Sequence, residues 1–364
     1  MRKYIKNRLS IIIPTYNEED NITALTTEII DLMKDRDCEI LIVDDGSTDS
    51  TVENIFDHFN DNKNIKVFQR EYDRGLLQSI KFALQSMTGE YFVVMDADRQ
   101  HAPTDINPLV SYLDNYDLVI GVRDLKNLTQ VSAKRSFLSK LFNKIIKLIL
   151  SVKISDPLTG FFAGKISLLN SKFFLLANSG FKVLLDLIFS NKKKNIKIYE
   201  KEIIFGTRKE GVSKLNSQVA FSFVTQLLSY IFNGLISSKF IGFVIIGGFG
   251  FVIHFGILLT LFNFFGISFY ISHLAATICT ASINFLANNY LNFYNSRINS
   301  FKELTISLIK YYLINLPGIL TSVGAASFAF NILIRNPVFA SLIGVILDTI
   351  FKYIISRTWI WRIN

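Results

Sequence analysis

Residues 38–51 read CEILIVDDGSTDST, and the fold of the first half of the chain turns on them. Cys38 to Val43 is an apolar run of strand length that stops at two acids, Asp44 and Asp45, and a capped helix follows from about Thr51 to Phe59. The same grammar repeats on either side. LSIIIP (9–14) reads as a buried strand stopped by Pro14. Residues 15–35 read as a helix capped by Asn17 or Asp20, with Ile22, Leu25, Ile29 and Leu32 on one face. Further strands are expected over 65–71, 90–98 and 116–123, with a helix over 75–87. Strands alternating with helices predict an α/β fold, a mostly parallel sheet with helices on both faces. In such sheets ligands bind beyond the carboxyl ends of the strands. No G-x-G-x-x-G loop is present in this part, so a dinucleotide fingerprint is absent.

The fourth strand ends in VVMDADRQH (93–101), with Asp96 and Asp98 one residue apart. An aspartate pair at a strand end can be an acidic turn. It can also be two oxygen ligands for a hard cation such as Mg²⁺ or Mn²⁺, which shares its shell with substrate phosphates. Asp44 and Asp45 end the second strand in the same way, and Gln100 offers a further oxygen. That set suits a departing nucleoside diphosphate whose charge must be neutralised. His101 reads as a structural histidine, and no Ser-His-Asp or Cys-His arrangement is evident.

Composition divides the chain of 364 residues in two. Residues 1–218 hold 31 Lys+Arg against 28 Asp+Glu, while residues 219–364 hold 8 against 2. Half of all residues are hydrophobic, so the second part is oil-like. The net charge of +9 lies beside apolar segments, which favours anionic lipid over nucleic acid as a partner. Cys38 and Cys279 lie in different parts, so neither a disulfide nor a zinc site is expected. Met1 to Arg8 is polar and basic and the next apolar run is short, so no cleavable leader is expected.

Several stretches together carry a resemblance: IIIPTYNEEDNI (11–22), ILIVDDGSTDST (40–51), VVMDADRQHAP (93–103), DPLTGFFA (156–163), GFKVLLDL (180–187) and FGTRKEGVSKL (205–215). In this order they resemble the family 2 glycosyltransferases of GT-A fold, and more closely the dolichol-phosphate mannose synthase group of polyprenyl-phosphate glycosyltransferases. The resemblance implies that Pro14, Tyr16 and Glu18 line a nucleotide pocket and that Val43 and Asp45 form its base-side wall. It implies that Asp96 and Asp98 are the D-x-D metal pair, with Asp98 the main ligand and Gln100 a helper, and that Ala97 lets the backbone approach the donor. Arg123 is implied near the donor sugar and acceptor phosphate, and Arg208 and Lys214 as phosphate-binding cations. Lys140 matches a family arginine, keeping the charge but losing the bidentate fork. The chain departs from the family where Phe162 replaces an arginine and where Lys209 and Val212 alter the common loop.

KRSFLSKLFNKIIKLIL (134–150) is basic and amphipathic, a pattern that lies in a membrane interface or packs on its own domain. NKKKN (191–195) reads as a turn rather than a site. Residues 219–236 read as an interfacial helix linking residues 1–218 to a transmembrane domain over 237–364. Four spans are expected, near 240–262, 269–291, 306–330 and 338–358. Arg297, Lys302, Lys352, Arg357 and Arg362 then place the catalytic domain, the middle loop and the C-terminus in the cytoplasm of a multi-pass cell-membrane protein. KFIGFVIIGGFGFVIH and ASINFLANNYLNF resemble a GtrA-like four-span domain.

The resemblance implies metal-dependent, inverting transfer of mannose from GDP-mannose to dolichyl or another polyprenyl phosphate, whose phosphate anion attacks the anomeric carbon directly. Two alternatives stand beside it. One uses another donor, such as UDP-glucose. The other makes the first domain a docking module for a lipid-linked sugar translocator.

Overall fold

The computed structural model describes residues 4–71, 74–123, 152, 154–157, 159–177, 183–203, 217–333, 336, 338, 339 and 357. The apolar run around Ile11 becomes β1 (Ile5–Thr15), between β2 (Cys38–Asp44) and β4 (Gly89–Val94). With β3 (Ile65–Gln69), β5 (Leu118–Arg123), β6 (Phe162–Lys165) and β7 (Ile198–Ile203) it forms a seven-stranded sheet in the order β3-β2-β1-β4-β6-β5-β7. β1 pairs in parallel with β2 and β4, β2 with β3, and β5 with β7; β6 alone runs antiparallel, between β4 and β5.

The central strands are apolar along their length because both faces are covered. Leu9, Ile11 and Ile13 pack with Ile22, Leu25 and Ile29 of α1 (Ile22–Leu32), Ile55 of α2 (Thr51–Phe59) and Leu109 of α4 (Ile106–Ser111). Strand side chains alternate, so Ile12 and Leu41 point to the opposite face. There α3 (Leu76–Ser86) buries Leu77, Ile80, Ala83 and Leu84. α5 (Ser171–Ala177) and α6 (Val183–Ser190) follow β6. The edge strand β7 carries Glu200, Lys201 and Glu202, charges that keep an open edge from pairing with another chain. Pro14 is tolerated in the central strand because β4 has ended beside it: their last paired residues are Ile12 and Val94. Helix α1 starts at Ile22 with Asn21 at its cap, later than an Asn17 or Asp20 cap predicts. Asn17 instead turns the chain with a positive φ of 55°.

One carboxylate lies inside this sheet. Glu39 is fully buried and accepts hydrogen bonds from Ser10 Oγ (2.7 Å), Thr88 Oγ1 (2.8 Å) and Lys66 Nζ (2.7 Å). Burial pushes its pKa up, but these donors outweigh burial and hold it below its ordinary value of 4.5. The folded state therefore binds fewer protons than the unfolded chain. The stabilisation is complete above pH 4.5 and is lost as pH falls through the lower folded value. Glu39→Gln is expected to cost about 2 kcal/mol at neutral pH. It is also expected to flatten the acid limb of the unfolding midpoint, read by thermal unfolding of the full chain in detergent.

Contacts divide the molecule into two units, one of Met1–Lys214 with Tyr230–Gly234 and one of Leu215–Ser229 with Leu235–Asn364. The helix α7 (Ser217–Ile231) therefore ends in the first unit, where Tyr230 Oη donates to the buried Asp186 Oδ1 at 2.6 Å. The second unit continues with α8 (Ser238–Leu259), α9 (Phe269–Ala287) and α10 (Phe301–Phe328), each followed directly by a π-helical turn. Ser237 caps α8, its Oγ accepting from Phe240 N at 3.2 Å. α8 and α9 approach closely through glycine: a Cβ on Gly250 would lie 2.2 Å from Asn284 Oδ1. His254 Nε2 and His273 Nδ1 meet at 3.2 Å within this unit.

The expectation of four spans is corrected. Among the described residues two helices are long and apolar enough to cross a bilayer, Ser238–Phe264 and Phe269–Asn292. The helix over the expected third span is 28 residues long, but beyond Lys310 its sequence is diluted by Tyr311, Tyr312, Asn315, Pro317, Thr321 and Ser322, which lower its mean hydropathy. The expected fourth span lies almost entirely outside the described residues.

Candidate active site

The carboxyl ends of β1, β2 and β4 lie side by side, so the loops that leave them share one edge of the sheet. The first two loops are laced together. Glu18 N donates to Thr51 Oγ1 (2.8 Å), Asn17 N to Ser47 Oγ (2.9 Å), and Thr48 N to Asn17 Oδ1 (2.9 Å). The Glu18 side chain turns back to accept from Asn21 Nδ2 at 2.9 Å. Pro14 and Val43 are register partners and both are buried, while Tyr16 at the tip is half exposed. The edge therefore has an apolar floor and one projecting ring.

Asp44 and Asp45 look alike in sequence but are used differently. Asp44 is buried; its Oδ2 accepts from Gly46 N (3.0 Å) and Ser47 N (2.9 Å), which fixes the loop to the strand end. Asp45 faces the next loop. Arg70 Nη1 and Ser79 Oγ both reach its Oδ1 at 3.2 Å, and Gly75 N reaches Oδ2 at 2.6 Å. Burial raises its pKa, and Arg70 opposes that rise. Arg74 lies against the backbone of Gly46 and brings a second guanidinium to the same edge.

Asp96 and Asp98 follow β4 directly. Ala97 between them is buried, and Asp98 Oδ1 accepts from Gln100 N at 3.1 Å. Arg99 takes a positive φ of 58° and pairs with Glu28 at 3.1 Å, which turns the chain after the acids. His101 is buried and stacked on Phe161, ring centroids 5.0 Å apart.

The antiparallel β6 adds what the sequence did not display. It pairs Phe162 with Val94, so residues 159–161 lie beside the segment that carries the acids. A Cβ on Gly160 would stand 2.4 Å from Asp96 Oδ2, so this glycine leaves the space the carboxylate fills. DPLTGFFA shows the glycine, but only the reversed strand direction brings it to Asp96.

The cationic half of the expected site is largely beyond view. Arg123 is the last residue of β5. Lys140, Arg208 and Lys214 lie outside the described residues, as does the amphipathic stretch 134–150. Among the described residues no group of three His, Cys, Asp or Glu side chains is gathered to hold a metal ion. The acids after β4 give two carboxylates two residues apart in one loop, a partial set of hard oxygen donors.

A mostly parallel sheet with acids at its carboxyl edge, in a chain that also carries membrane-length helices, defines a class that known relatives make specific. Residues 10–172 match the family model described as Glycosyl transferase family 2, and residues 242–361 match the GtrA/DPMS transmembrane domain. The chain is similar to a dolichol-phosphate mannosyltransferase of Pyrococcus furiosus, 29% identical over 360 residues, covering 97% of this chain and 99% of the relative. It is also similar to the dolichol-phosphate mannosyltransferase of Saccharomyces cerevisiae, 29% identical over 61% of this chain and 87% of that one. Among solved structures it is similar to glucosyl-3-phosphoglycerate synthase from Mycobacterium tuberculosis, at 18% identity and a TM-score of 0.47, covering 62% of this chain and 80% of that one. The chain is a family 2 glycosyltransferase domain fused to a GtrA-like transmembrane domain, related to proteins of the dolichol-phosphate mannose synthase kind. It is a membrane-associated enzyme, a glycosyltransferase of hexosyltransferase-like type.

Proposed function

We propose that the protein is a polyprenyl-phosphate glycosyltransferase, passing a hexose from a nucleoside-diphosphate sugar to the phosphate of a membrane-borne polyprenyl chain. One observation carries this reading: near full-length similarity to a dolichol-phosphate mannosyltransferase, spanning both the enzyme domain and the transmembrane domain. The donor is read more broadly than GDP-mannose. Of the expected pocket residues Pro14 and Tyr16 and the expected wall residue Val43, the half-exposed Tyr16 ring is the one that can stack, and it does so on any base. The expected acid of that wall, Asp45, already receives Arg70, Ser79 and Gly75. UDP-glucose and GDP-mannose are therefore the first two donors to compare.

In this reading Asp96 and Asp98, with Gln100 as an added oxygen donor, would hold a divalent cation, Mg²⁺ or Mn²⁺. The cation supplies charge neutralisation to the departing diphosphate. The chain's own groups do the rest. Tyr16 stacks on the base above the apolar floor of Pro14 and Val43, and Ala97 lets the backbone approach the sugar diphosphate. Arg123, Lys140, Arg208 and Lys214 offset the repulsion between donor and acceptor phosphates. The acceptor phosphate is already an anion near neutral pH, so no general base is needed, and attack opposite the leaving group inverts the anomeric centre.

The test is a transfer assay on the full chain in lipid, with a donor panel and a polyprenyl phosphate. Sugar-lipid is expected to form with one donor, to vanish in EDTA and to return with Mg²⁺ or Mn²⁺. Undiminished transfer after chelation, or transfer only to water-soluble acceptors, overturns the proposal.

A further inference from the structure

Away from the sheet edge, the first unit carries a shallow pocket of about 270 Å³ at the end of α7. Lys172, Lys192 and Lys193 line it, with the stacked rings of Phe189 and Tyr230 as its floor, centroids 4.3 Å apart. Lys172 Nζ stands 4.5 Å above the Phe189 ring. NKKKN reads from sequence as a solvated turn. The structure gives that turn an unusual anchor. Asn191 is fully buried, its Nδ2 donating to Leu168 O (2.8 Å) and Leu187 O (2.9 Å) and its Oδ1 accepting from Asn170 Nδ2 (2.9 Å). Asn170 Oδ1 in turn accepts from Phe173 N (2.8 Å), one residue from Lys172. A buried and a half-buried amide thus fix the segments that present the lysines.

Such convergence is unfavourable by itself. Burial lowers the Lys172 pKa, and Lys193 and Lys192 lower it further. Under the pocket floor the buried Asp186 accepts from the Tyr230 hydroxyl. An anion in the pocket relieves the repulsion among the three ammonium groups. The rim shows which kind of anion. Ile231, which lines the pocket, is 59% exposed; its chain neighbour Phe232 is 48% exposed, and Leu175, three residues along α5 from Lys172, is 72% exposed. Ser238, which begins the first membrane-length helix, follows Ile231 by seven residues, a tether of at most about 25 Å.

We propose that this pocket binds the phosphate of an anionic phospholipid headgroup, with Leu175, Ile231 and Phe232 entering the acyl boundary beside it. Lysines over an apolar fringe match the chemistry of an anionic bilayer surface. The site is separate from the acids after β4 and serves to seat the enzyme unit on lipid rather than to handle its substrates.

The test uses the full chain in nanodiscs of phosphatidylcholine alone or mixed with phosphatidylglycerol. The rate at which an amine-reactive ester acylates Lys172, relative to the exposed Lys34, is read by peptide mass spectrometry. Phosphatidylglycerol is expected to slow Lys172 at least about fivefold, raised salt to reverse this, and inorganic phosphate with phosphatidylcholine to leave the rate unchanged. In a Lys192→Gln/Lys193→Gln chain the protection is expected to be lost, with Lys172 reacting at rates within about twofold of each other in the two lipids. Equal Lys172 rates in the two lipids, or equal protection by free phosphate, overturn the proposal. The wild-type comparison decides it even where the double variant does not fold.

Discussion

Asp98→Ala is expected to lower sugar transfer about a thousandfold while the thermal unfolding midpoint stays at the wild-type value. The magnitude is that of losing a preorganised electrostatic partner of the leaving group, several kcal/mol of transition-state stabilisation. The fold should survive because Asp98 sits in a loop beyond β4, outside the buried ladder, where its Oδ1 takes a short loop contact from Gln100 N at 3.1 Å. Asp98→Asn separates charge from shape. It keeps an acceptor for Gln100 N but loses the anion, and is expected to fail as badly. Turnover within tenfold of wild type in either variant would remove Asp98 from the cation site.

Gly160→Ala should cost about a hundredfold in transfer without unfolding the protein. The added methyl would stand 2.4 Å from Asp96 Oδ2 and 2.9 Å from its Cγ, closer than real contacts permit. The short Asp96 side chain is the part that gives way, and it turns out of its place. A displacement of about 1 Å in a positioning group can cost two orders of magnitude. The expected signature is a weakened response to added Mg²⁺ or Mn²⁺, read as a raised half-saturating metal concentration, with the donor KM less affected. An active Gly160→Ala enzyme with unchanged metal response would show that Asp96 has no part in holding the cation.

The two variants differ in how they could be found. Asp98 is visible in VVMDADRQH, because a carboxylate pair after an apolar run announces itself. Gly160 is one of nineteen glycines, and nothing local distinguishes it. Its role depends on β6 running against its neighbours, and β6 is four residues long, too short for periodicity to declare a strand. The Asp44–Asp45 pair teaches the same point. Sequence marks both as strand-end acids, while contacts with Ser47 and Arg70 give one to its own loop and the other to the loop after β3.

By itself the sequence determined the alternation of the first five strands with their helices, the edge on which the acids gather, and the division into a mixed and an oil-like half. These follow from local pattern: apolar runs of strand length, helical periodicity and charge density are properties of neighbouring residues. Tertiary structure alone decided the seven-strand order, the reversal that sets Gly160 against Asp96, the fixing of the NKKKN turn by Asn191 and the return of Tyr230 to the first unit. Each of these depends on which distant segments bury one another's surface and satisfy one another's buried polar groups, and no window along the chain contains both partners.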